Sequence, residues 1–184
     1  MLTKAQGSTL LKLARSAIEE AFRHKSVSIP ERLRNQKAFS QQPGAFVTLL
    51  KDKELRGSMG YPQGTYPLAD AVIKAARDAA FNDPRFKAVK KSELQKLLIR
   101  IDVLSRFKRT NVKGISPQTH GIYTEFGLFK GLQLPEDAKK FKWTARQAVE
   151  NALRKAGLAS EMWKDRNLRI YRFTTKRVEE KKGD

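Results

Sequence analysis

Apolar residues recur along this chain in two alternating rhythms. Leu10, Leu11, Ala14, Ala17, Ile18, Ala21 and Phe22 fall at helical spacing. They predict an amphipathic helix from about Ser8 to Arg23, within a helical region 8–25, with Ser8 as N-cap. Lys12, Arg15 and Glu19 fall off that stripe and are expected to face solvent. The polar stretch from Ser26 to Pro43 reads as a surface connection with one helical turn. Gly44 to Leu50 then reads as a strand, Lys51 to Glu54 as a polar turn, and Leu55 to Gly60 as the returning strand. Pro67 suits a helix start. Leu68, Val72, Ala75, Ala76 and Ala79 repeat helically until Asn82-Asp83-Pro84 stops the run. A short helix at Ser92 to Gln95 leads into Leu97, Ile99, Ile101 and Val103, whose alternation with Leu98, Arg100 and Asp102 marks a strand with one apolar face.

After an irregular basic stretch, 107–118, the order of elements returns. Gly121 to Phe126 echoes Gly44 to Leu49, and Phe129 to Pro135 echoes Leu55 to Pro62, with Lys130-Gly131 in place of Arg56-Gly57. A helix from Thr144 to Ala156 follows, stopped by Gly157. Ser160-Glu161-Met162 and the strand Leu168 to Phe173 complete the echo. Matching elements lie some 70 residues apart, which argues for an internal duplication with repeats at 44–104 and 120–174. A half of that size buries too little apolar surface alone, so the halves are expected to share one core. The expected fold is α+β, a single domain over 1–184 with the N-terminal helix added and a charged, frayed tail at 176–184.

Composition narrows the chemistry. The 184 residues contain no cysteine and two histidines, His24 and His120. Disulfides, thiolate zinc sites and cysteine nucleophiles are therefore excluded, and neither a metal site nor a cofactor is expected. No secretory signal and no apolar run of membrane-spanning length is present, so a cytoplasmic protein without a membrane partner is expected. Lys and Arg number 38 against 19 Asp and Glu, a net charge of +19. Between Arg85 and Lys113 the excess reaches +8, and Lys90, Lys91, Arg106, Lys108, Arg109 and Lys113 form the expected basic surface. Such an excess favours polyanions; its bland counterpart is a solvated surface that serves solubility or heat tolerance.

Arg56, between Leu55 and Gly57 on a strand, carries a planar fork suited to a carboxylate or phosphate. Its structural alternative is an internal ion pair with Asp52, Glu54, Asp83 or Glu125. Gly57 and Gly60 allow close approach to the backbone. Ser58 could act as a nucleophile with His120 as base and Asp83 or Glu125 as orienting carboxylate, or could simply pack as a small residue. Asp83 and Arg85 either line the Arg56 pocket or form a helix stop. His120 is the second catalytic candidate, and Glu125 joins the ligand-binding set. Trp143, Trp163 and Tyr171 read as packing residues, since no aromatic–basic interleaving is evident in the linear sequence.

Several of these stretches occur together in one order: Leu55-Arg56-Gly57-Ser58-Met59-Gly60, Asp83-Pro84-Arg85-Phe86, His120-Gly121, Gly131-Leu132-Gln133-Leu134-Pro135, Trp143, Lys155-Ala156-Gly157-Leu158 and Tyr171-Arg172-Phe173. In them the chain resembles the AMMECR domain family, and its stand-alone prokaryotic and archaeal members most. The resemblance implies two repeats wrapped round one shared, barrel-like, mostly antiparallel sheet. It also implies a cysteine at position 58, where this chain has serine, which weakens any thiol chemistry. Memo-type and radical-SAM proteins are the partners it implies. Three functions follow: a cleft for an anionic small molecule or nucleic acid, an enzyme using Arg56, Gly57 and Ser58 with His120, or a non-catalytic adaptor for a partner protein.

Overall fold

The structure is a computed structural model that describes residues 2–62 and 64–181. It divides into two compact units, residues 1–103 with 176–184 and residues 104–175.

In the first unit, α1 (Lys4–Ala21) begins earlier than the apolar stripe alone predicts. Thr3, not Ser8, is its N-cap, in a reciprocal capping box with Gln6. The polar connection holds two single turns, α2 (Glu31–Arg34) and α3 (Lys37–Ser40), the second pinned by buried Phe39. Strands β1 (Ala45–Lys51) and β2 (Glu54–Tyr61) form the predicted hairpin, turning through Asp52 and Lys53, both at positive φ. Helix α4 (Leu68–Phe81) follows, then a 3-10 turn over Lys91–Lys96 and strand β3 (Leu97–Leu104). The charged tail contains a strand, β8 (Thr175–Glu179), so the expected fraying is corrected for that segment; residues 182–184 lie outside the described residues. Its neighbour is β3, and Val178 gives it an apolar contact against Gly7 of α1. The sheet order is β2-β1-β3-β8. Val47, Leu49, Ile99 and Ile101 form its buried face, with Leu10, Ala14 and Ala17 of α1 and Val72, Ala75 and Ala76 of α4.

The second unit has a sheet of its own. The basic stretch predicted as a loop holds β4 (Lys108–Thr110) and a 3-10 turn over Val112–Gly114; β5 (Gly121–Phe126) and β6 (Phe129–Gln133) form a hairpin. A short α5 (Pro135–Lys140), then α6 (Ala145–Lys155), a 3-10 turn over Ser160–Lys164 and β7 (Arg169–Phe173) complete it. Thr144 caps α6 through a capping box with Gln147. The order is β4-β7-β5-β6, and Ile122, Ile170, Ala148, Val149 and Leu153 close the core against α6. One shared barrel-like sheet is therefore replaced by two four-stranded sheets, each covered on one face by helices of its own unit. Each sheet thus closes a core of its own. Among the described residues no helix is long and apolar enough to cross a membrane.

Both units bring a helix onto a hairpin strand at a glycine. A Cβ on Gly57 would stand 2.1 Å from the carbonyl oxygen of Ala79 in α4, and one on Gly131 would stand 1.9 Å from that of Ala152 in α6. Neither distance is tolerable, and the obstacle is backbone, which cannot rotate away. Gly57→Ala and Gly131→Ala are each expected to lower stability by about 3 kcal/mol, read as a shift in the urea midpoint. A shift below a few tenths of that would show the helices free to lift.

Candidate functional site

The motif strand β2 is an edge of its sheet, and the backbone of Ser58 faces outward from it. The Ser58 N–H donates to Asp83 Oδ2 at 2.8 Å, and Arg85 Nη2 donates to the Ser58 carbonyl at 3.2 Å. Arg85 also grips Asp83 through Nε and Nη2, at 2.9 and 2.7 Å. Pro84 fixes the turn between them, so Asp83 and Arg85 together present one acceptor and one donor, as a neighbouring strand would. Asp83 is 4% exposed. The Arg85 guanidinium, helped by the Ser58 and Arg85 amides and opposed by burial, holds its carboxyl down at about 2. The Ser58 hydroxyl is paired with Thr48 Oγ1 at 2.9 Å.

Arg56 is clasped from within its own unit. Nε and Nη2 donate to the two oxygens of Glu93 at 3.1 and 3.0 Å, and Nη1 donates to the Lys87 carbonyl at 2.9 Å. Its side chain is 17% exposed. The expectation of a guanidinium open to an anion gives way to the internal ion pair. The partner lies on the 3-10 turn and is none of Asp52, Glu54, Asp83 and Glu125. Glu93 also accepts from Lys51 Nζ and the Lys90 N–H, both at 2.9 Å. Arg56 first, then the Lys90 amide and Lys51, hold its carboxyl far below the usual carboxylate range.

Cross-strand register puts Ser58, Thr48 and Arg100 in one row, on the face of the sheet opposite the helices. Arg100 Nη2 donates to Glu179 at 2.9 Å, while its buried Nε has no partner among the described residues. Asp102, on the same face, is held by Nε and Nη2 of Arg177. Gly60 lies against the Phe46 ring, which leaves no room for a side chain.

His120 and Glu125 belong to the second unit. His120 Nδ1 accepts from the Ser116 N–H at 3.0 Å, and burial and then Arg172 lower its pKa, so it is a neutral turn residue. Glu125 pairs with Arg169 at 3.0 Å. The hydrogen bonds among the described residues join Ser58 to Thr48, Asp83 and Arg85, all of the first unit, while His120 and Glu125 are each held by a partner of the second. Among the described residues no group of three or more His, Asp or Glu is placed to hold a metal ion.

Two features escaped the linear sequence. Arg15, expected in solvent, is half-buried, donating to Glu180 and to the Leu94 and Leu97 carbonyls. It floors a groove of about 990 Å³ beside α1 whose lining includes Lys12 and Lys96. The tail supplies Glu180 from a region with no apolar pattern to announce it.

A protein-family model described as AMMECR1 matches residues 11–178. A protein of Methanothermobacter thermautotrophicus is 39% identical over 180 residues, covering 94% of this chain and 93% of its own. Protein TK0174 of Thermococcus kodakarensis is 35% identical, covering 95% and 90%. The crystal structure of Uncharacterized Protein PH0010 from Pyrococcus horikoshii superposes with a TM-score of 0.91 at 31% identity, covering 98% of this chain and 94% of that one.

Removing Arg56 leaves Glu93 largely buried, with Lys51 as its one remaining side-chain partner among the described residues. Arg56→Ala is expected to cost about 2–4 kcal/mol in urea unfolding, with Arg56→Lys in between because the fork is lost and the charge kept. Wild-type stability in Arg56→Ala would remove the structural role.

Both Asp83 and Glu93 titrate below their unfolded values. The stability they contribute is complete above about pH 5 and is lost as the pH falls through the folded values. Asp83→Asn should flatten the decline between pH 5 and 2 by about 1–2 kcal/mol, allowing for the exposure of Arg85. An unchanged acid profile would show the clamp to be idle.

Proposed function

We propose a function for this chain, which belongs to the AMMECR1 family: it is a binding module for anionic ligands, nucleic acid above all, and it meets them through surface cations while Arg56 stays engaged inside. One observation carries this reading. The acids of the basic stretch, Glu93 and Asp102, are both taken up, the first by Arg56 and Lys51 and the second by Arg177. Around them the exposed Lys87, Lys90, Lys91 and Lys96 of the first unit have no ion pair with any described residue. The same holds for Arg106, Lys108, Arg109 and Lys113 of the second. Their charge is uncompensated and open to solvent, which is what counterion release requires.

Hydrolysis at Ser58 draws less support. The hydroxyl is engaged by Thr48, and Asp83, held near 2, is a poor base at neutral pH. The two units also read as copies of one element. Each runs hairpin, helix, 3-10 turn, strand, with α5 added before the helix in the second, and has sheet orders β2-β1-β3 and β6-β5-β7 and a glycine under a helix carbonyl. On that reading the Arg-Gly motif belongs to the shared framework, with the ligand contacts outside it.

Titration of labelled 20-mer RNA and DNA at two salt concentrations tests the proposal. Affinity should fall with salt, with a log–log slope of about −0.7 per phosphate contacted on a single strand. Replacing Lys87, Lys90 and Lys91 together by Glu should weaken binding and flatten that slope. Absence of binding at low salt, or affinity indifferent to salt, would overturn it.

A further inference from the structure

We infer that the sheet face of the second unit turned away from α6 is a stacking platform for a base of a single-stranded nucleic acid, an inference that rests on the anionic-ligand reading above. Register assembles this face from residues scattered over some 65 positions. Arg109 of β4 lies opposite Tyr171 of β7, Tyr171 opposite Tyr123 of β5, and Gly121 of β5 opposite Phe173 of β7. The rings touch in a chain. Tyr171 and Tyr123 are 6.0 Å apart between centroids, Tyr123 and Phe107 4.8 Å, and Phe107 and Phe173 4.9 Å, the last pair stacked. Phe173 lies over Gly121, where a Cβ would come within 2.3 Å of the ring. Phe107 therefore covers the Phe173 end of the layer, and the accessible end is half-buried Tyr171 with exposed Arg109 standing 5.5 Å above its ring.

A guanidinium lying on an aromatic ring extends its flat surface outward, and bases stack on both kinds of plane. The phosphates beside a base so placed would meet Arg106, Lys108 and Lys113, which are exposed and have no ion pair with the described residues. β4 is the edge of the sheet, so a strand of nucleic acid can pass along it without displacing another element of this unit. The aromatic and basic residues are interleaved across strands. The linear sequence, in which Tyr171 reads as a packing residue, therefore hides the pattern. A duplex presents no open base face, so the platform selects single strands.

The experiment compares a labelled oligo-U 20-mer, an oligo-dT 20-mer and a 20-base-pair duplex at low salt on full-length protein. Arg109→Lys, at an exposed position, keeps the charge and removes the plane; Tyr171→Leu keeps apolar volume and removes the ring. Each should lower affinity for both single strands about five- to tenfold, leave the salt slope unchanged and leave duplex affinity as it was. Tyr171→Phe should bind as wild type. Equal loss on duplex and single strand, or no loss on single strands while wild type binds in a salt-dependent way, overturns this inference and spares the anionic-ligand reading. If the wild type binds neither form, both fall.

Discussion

An edge strand has backbone groups with nowhere to go, and most of what is distinctive in the first unit answers that constraint. Three successive residues of β2 are tied to three different elements. Arg56 reaches Glu93 on the 3-10 turn, Gly57 admits the Ala79 carbonyl of α4, and Ser58 hands its N–H and C=O to Asp83 and Arg85. The Asp-Pro-Arg sequence follows directly on α4, so the same helix that presses on Gly57 delivers the pair that closes the strand beside it. A side-chain pair that completes the strand also denies the edge to another chain. The two motifs that stand out in the sequence, with Ser58 and Asp83 25 residues apart, are one device.

The elements themselves were legible where a single period ran long enough. The Leu97–Val103 alternation, the Leu68–Ala79 helical repeat and both hairpins all stand where the pattern puts them. Failures came where a contact between distant segments decides the outcome. β8 has no apolar pattern of its own beyond Val178 and becomes a strand because β3 offers it a free edge. Arg15 falls outside the apolar stripe of α1, yet two carbonyls and Glu180 draw it in. For Arg56 the chemistry was readable and the partner was not. Asp52, Glu54, Asp83 and Glu125 were the candidates, but Asp52 stays in the exposed turn, Glu54 is exposed at the start of β2, and the 3-10 turn brings Glu93 to the strand instead. One shared core was expected because each half looked too small alone, and one shared sheet because the family resemblance implied it; each unit instead sets helices on a sheet of its own.

The charge has a division within it. Arginines do most of the structural pairing: Arg15, Arg56, Arg85, Arg100, Arg169 and Arg177 all meet carboxylates. Lysines at 87, 90, 91 and 96 do not. A planar fork with a weakly hydrated charge suits a half-buried pair, whereas an ammonium on a flexible stem is better left in water. Part of the excess of +19 is thus carried by groups that pair with no carboxylate among the described residues, and substitution of those lysines is expected to have little effect on the fold.

The second unit repeats the glycine and omits the clamp. Lys130 stands where Arg56 does and is exposed, with no ion pair to the described residues. Instead of a bonded motif strand, the second hairpin ends in Leu128 and Phe129, at 95% and 52% exposure. An exposed Leu at a turn contributes nothing to its own fold, and the locked hairpin of the first unit shows that this architecture has no need of one. What the first unit invests in closing an edge, the second leaves as open aromatic and cationic surface. The first unit keeps its free cations on the segment after α4, at Lys87, Lys90, Lys91 and Lys96, while the second keeps one on the motif strand itself.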